Sequence, residues 1–204
     1  VQTCALPICE CVCVVEIFIY IYIYTYTMNK THKKNIIGIA YFNGTNGANS
    51  ANGATEPVRG TIHFYENIKE NNVLIDINLS GFKKNMTHGI HIHEAGDLSD
   101  NCTSACAHFN PYNTKHGGIN SKERHVGDLG NIKSDSNGNV IMKITDKLIK
   151  LRGSKCNIIG RSVVIHNDRD DEGLGGFEDS LTTGHSGKRM ACTVIGYSKM
   201  NFTK

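Results

Sequence analysis

The chain reads as an all-β protein of about eight strands, packed as a sandwich or barrel with long connecting loops. Three observations lead there. Apolar and polar residues alternate over several short runs, the two-residue period of a half-buried strand. Glycine (21 residues) and asparagine are abundant, whereas there is no Trp and only three Pro, a composition that suits many turns between short strands. No segment holds a helical apolar period for long, and no internal repeat is visible. The 204 residues, 39% hydrophobic, suffice for one domain with a substantial core.

Residues 1–27 stand apart from this pattern. They hold Cys4, Cys9, Cys11 and Cys13, half of the eight cysteines, followed by a strict two-residue repeat from Ile17 to Thr27. As protein, the repeat is an uncharged, aggregation-prone β-segment; as nucleotides, it is what an AT-rich dinucleotide repeat yields when read through. The opening Val1-Gln-Thr-Cys-Ala-Leu-Pro-Ile8 matches the translation of a common sequencing-library adapter. Residues 1–27 are therefore expected to be a non-native, disordered leader, with Met28 as initiator and 28–204 as the working domain. No Lys or Arg precedes Lys30, and the run after Glu16 is too short to span a bilayer as a helix. Neither a signal peptide nor a membrane partner is expected, and the cytoplasm is the default location.

The strands follow in order. Ile36–Phe42 reads as the first, and Asn43–Pro57, rich in Gly, Asn and Ala, as a flexible connection. Arg59–Tyr65 alternates Ile62 and Phe64 with Thr61, His63 and Tyr65. Val73, Ile75, Ile77 and Leu79 alternate with Asp76 and Asn78, one face in and one face out. Gly-Ile-His91-Ile-His93 continues in β-type sequence. Gly130–Ser134 and Asn139–Thr145 flank Asp135-Ser-Asn-Gly138, a hairpin signal. Arg161–His166 and Ala191–Tyr197 complete the set.

The chemistry concentrates between His91 and Asp128. His91 and His93, two residues apart on a strand, point to one face and form a chelating pair. His108, His116, His125 and Asp128 then arrive from a connection too long to be an ordinary one, and such loops are disordered or functional. Imidazole donors suit copper and zinc, and three histidines with a carboxylate suit tetrahedral zinc; calcium and magnesium want oxygen. The formal charge of +3 is too small to argue for nucleic acid, though it favours small anions.

The segments His91-Ile-His93-Glu-Ala-Gly-Asp97, His108-Phe-Asn-Pro111, Lys115-His116-Gly-Gly118, Glu123-Arg-His125-Val-Gly-Asp128, Gly160-Arg-Ser-Val-Val-Ile-His166 and Gly187-Lys-Arg189-Met-Ala-Cys192 resemble the copper/zinc superoxide dismutase family, in order and over about residues 58–197. The resemblance implies a Greek-key β-barrel with long metal-binding and electrostatic loops. It implies copper on His91, His93, His108 and His166, and zinc on His108, His116, His125 and Asp128, with His108 bridging both as an imidazolate. By the same resemblance, Arg189 receives the superoxide anion, and His108 leaves copper to carry a proton in the cycle that yields dioxygen and hydrogen peroxide. Asp170 joins His91 to His116 as an outer carboxylate, Thr183 lines the channel, and Cys102 pairs with Cys192. That disulfide would close a loop of roughly ninety residues, for which chain entropy gives about 4–5 kcal/mol at most; two reduced thiols are the cytosolic alternative. A homodimer and loading by a copper chaperone are further implications.

Three positions depart from the family's pattern. Cys106 and Ala107 stand where Gly and Pro are usual, placing a thiol two residues from His108. Thr182 stands where many members carry a steering lysine, and Lys188 is a possible substitute. Cys156 is expected to be a free thiol. The alternative function, a non-catalytic metal-binding or metallochaperone-like domain on the same fold, would lack copper ligands or the guiding arginine. The sequence retains all of them.

Overall fold

In the computed structural model, residues 36–44, 54–153 and 155–202 are described, within a compact unit that runs from Asn35 to Lys204. Residues 1–27 and the loop residues 45–53 lie outside the described residues. Eight strands carry the fold: β1 (Ile37–Asn43), β2 (Ala54–Asn67), β3 (Asn72–Phe82), β4 (Thr87–His93), β5 (Asp128–Lys133), β6 (Val140–Asp146), β7 (Ser162–His166) and β8 (Arg189–Tyr197). Among the described residues, regular helix is limited to single turns: α1 (Ser180–Thr183) and the 3₁₀ segments Thr103–Ala105 and Lys199–Asn201.

All ladders are antiparallel, in the order β5-β4-β7-β8-β1-β2-β3-β6. The two edge strands, β5 and β6, are consecutive in the chain, so their connection spans the one gap in a nearly closed barrel. Read around that barrel, β3 lies beside β6 and β4 beside β7, the Greek-key order. Alternation delivers the core as the sequence suggests. Val73, Ile75, Ile77 and Leu79 of β3 are buried with Ile62 and Phe64 of β2, Ile90 and Ile92 of β4, and Val163 and Ile165 of β7.

The expected hairpin is corrected. Its turn forms: Asp135 N–H donates to Asn139 O (2.8 Å), and Asp135 Oδ1 accepts from the Asn137 and Asn139 amides. The flanking strands, however, do not pair with each other. β5 pairs with β4 and β6 with β3, while the turn bonds to the neighbouring β3–β4 connection through Phe82 N–H to Gly138 O (3.2 Å) and Asn85 N–H to Asp135 O (3.1 Å). A local turn signal reports that the chain reverses, not which strand it reverses onto. The connection expected over Asn43–Pro57 is also shorter, since β1 runs through Asn43 and β2 begins at Ala54.

Candidate metal centre

β4 is buried on both faces, and that decides where the site lies. Ile90 and Ile92 enter the barrel core, so His91 and His93 point to the opposite face, outside the barrel wall. Residues 94–127 fold back over them. Phe109 N–H donates to Ile92 O (2.8 Å), Glu94 N–H to Ala107 O (2.9 Å) and Ile92 N–H to Gly127 O (2.8 Å), while a bridge pairs His93 with His108. A Cys102–Cys192 disulfide pins this loop to β8, with the paired Cα atoms 5.7 Å apart. The bond sits in a small second cluster with Ala105 and Val164.

The cover brings six histidines and Asp128 together, none more than 6% exposed. Three groups of ligand atoms lie within 4.8 Å of one another among the described residues: two donor sets that share His108, namely His91, His93, His108 and His166, and His108, His116, His125 and Asp128, and a link between them made by His91, His116 and Asp170. Outer hydrogen bonds select which nitrogen each ring presents. His91 Nε2 faces Asp170 Oδ2 (2.7 Å), His93 Nδ1 faces Cys106 O (2.9 Å) and His166 Nδ1 faces Gly187 O (3.1 Å). That leaves His91 Nδ1, His93 Nε2 and His166 Nε2 for the first set, the last two 3.4 Å apart. His108, His116 and His125 place their Nδ1 atoms 2.9, 3.0 and 3.1 Å from Asp128 Oδ1. Because His108 uses Nδ1 there, its Nε2 faces the first set, and its ring centroid lies 4.0 Å from that of His91.

The donor sets fit metal ions on their own chemistry. His91 Nδ1 and His108 Nε2 are buried without a hydrogen-bond partner, and His116 Nδ1, though close to Asp128, is out of line for one. Orphaned buried nitrogens are costly unless something is bound to them. An all-imidazole quartet suits copper, and three imidazoles converging on one carboxylate suit zinc. Asp128 Oδ2 is held separately, by the Gly117 (3.1 Å) and His125 (2.8 Å) amides.

Burial, reinforced by the neighbouring imidazoles, holds His91 and His93 well below the usual histidine range. Burial also lowers His108 despite Asp128 and pushes His166 down to about 4. These rings are neutral at pH 7, as metal donors must be. Burial alone would lower His116, but Asp128 and Asp170 on either side outweigh it and raise the ring to about 9. Burial would raise Asp128, but the His108, His116 and His125 rings around it hold it well below the usual carboxylate range.

Asp170 is fully buried and bridges His91 Nε2 and His116 Nε2, at 2.7 and 2.9 Å. Asn131 of β5 fixes it in turn, accepting from Asp170 N–H (2.8 Å) and donating to Asp170 O (2.9 Å). Only glycine fits at position 184: φ is +65°, and a Cβ there would lie 2.1 Å from Asp170 Oδ1. Arg189 is opposite His166 in the β7–β8 register and half-buried. Its guanidinium donates to Cys102 O (2.6 Å), Thr103 O (3.0 Å) and Cys106 O (2.5 Å), the last being the acceptor that His93 also uses. Thr183 is exposed, its hydroxyl turned to Asp179 O and Oδ2. Cys106 and Cys156 are free thiols, the first exposed.

Comparison with known proteins agrees with this geometry. The profile of the family described as copper/zinc superoxide dismutase matches residues 58–195. The chain belongs to that family. It is 60% identical over 146 residues to a Cu-Zn superoxide dismutase of Paramecium bursaria Chlorella virus 1, covering 72% of this chain and 76% of the relative. It is 49% identical over 142 residues to that of Candida albicans, covering 70% and 92%. It is 46% identical over 143 residues to superoxide dismutase [Cu-Zn] 5 of Dictyostelium discoideum, covering 70% and 93%.

Sequence reasoning passed over residues that hold this superoxide dismutase site in place. Arg124 is buried at 7% exposure; Nη1 donates to His125 O (3.1 Å) and Asp128 O (2.9 Å), and Nη2 pairs with the buried Asp146. Asp146 Oδ1 accepts from the Leu148 and Ile149 amides, so the backbone at His125 and Asp128 is tied to the end of β6. No sequence signal marks that pair, because its members lie twenty-two residues apart. His88 did carry a signal: it is a histidine on the apolar face of β4, in phase with Ile90 and Ile92.

Proposed function

We propose that this chain converts two superoxide anions and two protons to dioxygen and hydrogen peroxide, with copper held by His91, His93, His108 and His166 and zinc by His108, His116, His125 and Asp128. The observation that carries the proposal is His108, whose two ring nitrogens face two different donor sets. Copper bound in the quartet supplies one-electron chemistry by alternating between Cu(II) and Cu(I), and zinc supplies charge and structure without redox.

The chain's own residues do the rest. Arg189, a fixed cation beside His93 and His166, receives the anion and orients it; its three carbonyl acceptors hold the guanidinium in one place. His108 Nε2 is the atom that holds a proton between the two half-reactions. Asp170 fixes the tautomers of His91 and His116, so that each presents Nδ1 inward. Thr183 flanks the approach. The disulfide and the Arg124–Asp146 pair keep the cover closed over donors that would otherwise be solvated.

A homodimer and copper loading by a chaperone belong to the same proposal, as what the resemblance to the family implies, and a cytoplasmic location is proposed with them as the default. The test is metal analysis with a dismutation assay on the full chain. One copper and one zinc per chain with fast dismutation is the expected result. A chain carrying both ions that does not disproportionate superoxide would refute it.

A further inference from the structure

The loop between β7 and β8 carries a histidine that the metal centre does not use. His185 Nδ1 lies 2.7 Å from Asp179 Oδ1, and the two side chains are 49% and 47% exposed. The imidazole also stacks on Phe177, with ring centroids 3.8 Å apart and planes 13° from parallel. Its backbone has φ +48°, a left-handed conformation that histidine enters more readily than most residues with a Cβ. Asparagine or glycine would meet that conformational demand equally well, so the carboxylate and the aromatic face are what single out an imidazole here.

The pair borders the approach that the proposed function assigns to superoxide. Asp179 Oδ2 accepts from the Thr183 hydroxyl (3.1 Å), and Thr182 beside it brings no charge. Gly184 is pressed against the outer wall of the metal centre, since a Cβ there would meet Asp170 Oδ1 at 2.1 Å and His116 Nε2 at 2.4 Å; His185 is the next residue. The ionisable groups around it are Asp179, Glu178, which shares a shallow hollow with Phe177 and Thr182, and, behind the Gly184 backbone, Asp170 and His116. The bond to His185 lowers the Asp179 carboxyl, so Asp179 is charged throughout the pH range in which histidines change charge.

We infer that His185 sets the charge that superoxide meets at the mouth of the site: as an imidazolium it cancels Asp179, and as a neutral ring it leaves a carboxylate that repels the anion. The inference rests on the proposed function. His185 acts through the field along the approach, so it changes the encounter rate and leaves the copper centre unaltered.

The test follows superoxide loss by pulse radiolysis from about pH 5.5 to 9, at low and high salt, on the full chain loaded with copper and zinc. NMR of the zinc, Cu(I) protein locates the His185 titration. At low salt the wild-type rate should fall about twofold as pH rises through that titration, the effect of one unit charge about 10 Å away in water, and high salt should remove the fall. His185→Asn, which suits the same backbone, should run at the lower rate at every pH, and Asp179→Asn should run faster than the wild type at every pH. A wild-type rate that stays flat across the titration overturns the inference, as does a step that survives His185→Asn or high salt, or an Asp179→Asn rate no higher than the wild type's. A changed copper electron paramagnetic resonance spectrum or zinc content in His185→Asn also overturns it, because the residue would then act on the centre itself. A metal-loaded wild type that does not disproportionate superoxide would instead refute the reading on which the inference rests.

Discussion

Replacing Cys106 by glycine should stabilise the fold. Cys106 has φ +65° and ψ −151°, a region that side chains with a Cβ rarely enter and that costs of order 1–3 kcal/mol. Glycine removes that strain but adds roughly 0.5–1 kcal/mol of unfolded-state entropy. Little packing is lost, because the thiol is exposed and its hydrogen bond, to Ser104 O at 3.5 Å, is long. The backbone carbonyl, which holds both His93 and Arg189, survives the substitution. The net gain should be about 1 kcal/mol, or about 2–4 °C in Tm for a domain of this size. Scanning calorimetry of the zinc-loaded, disulfide-intact protein reads it, with Cys106→Ala as the control that removes the thiol but keeps the Cβ. A Cys106→Gly Tm at or below the wild type, or equal shifts in both variants, would refute the strain argument.

Other substitutions probe other links. Cys192→Ser should lower the stability of the metal-free chain by about 2–4 kcal/mol, measured by urea titration, since the Cys102–Cys192 bond spans 90 residues. Glu66 accepts from Arg152 Nε (2.7 Å), Arg152 Nη2 (2.5 Å) and the Ile36 amide (3.1 Å); burial would raise its carboxyl, but these partners outweigh it and lower the pKa. The stability that Glu66 contributes is therefore present above the unfolded-state value and lost as pH falls through the folded one. Glu66→Gln should cost about 1–3 kcal/mol at pH 7, and the difference from wild type should vanish in acid, as denaturant titrations across pH would show. Arg189→Ile should slow dismutation about tenfold or more and flatten its dependence on ionic strength in stopped-flow assays. Steering is a known property of this enzyme class; the feature particular to this chain is Thr182, so Thr182→Lys should steepen the salt slope, and an unchanged slope would contradict the role.

Much of the fold was legible because alternation is local. β3 announces itself through Val73, Ile75, Ile77 and Leu79, and the barrel needs nothing more than such strands with one apolar face. Pairing is not local. Asp135-Ser-Asn-Gly138 marks a turn as strongly as a hairpin would, yet its flanks join strands whose partner residues lie 37 to 73 positions earlier in the chain. The metal donors were legible by type and spacing, since few sequences place so many imidazoles on a short strand and the loop after it. Which nitrogen each ring presents was not, because that choice rests on Asp170, Cys106 O and Gly187 O, partners that only folding brings near. Arg124 and His88 were missed for opposite reasons. A single arginine in a charged loop gives no hint of burial, whereas a histidine in phase with Ile90 and Ile92 on a core-facing strand did.

The central claim is that one imidazole serves two ions. Anomalous diffraction collected at the copper and zinc absorption edges from crystals of the metal-loaded protein tests it directly. The account expects copper among His91, His93, His108 and His166, zinc among His108, His116, His125 and Asp128, and His108 bound through Nε2 on one side and Nδ1 on the other. A single ion per chain, or a His108 ring turned away from either peak, would contradict it.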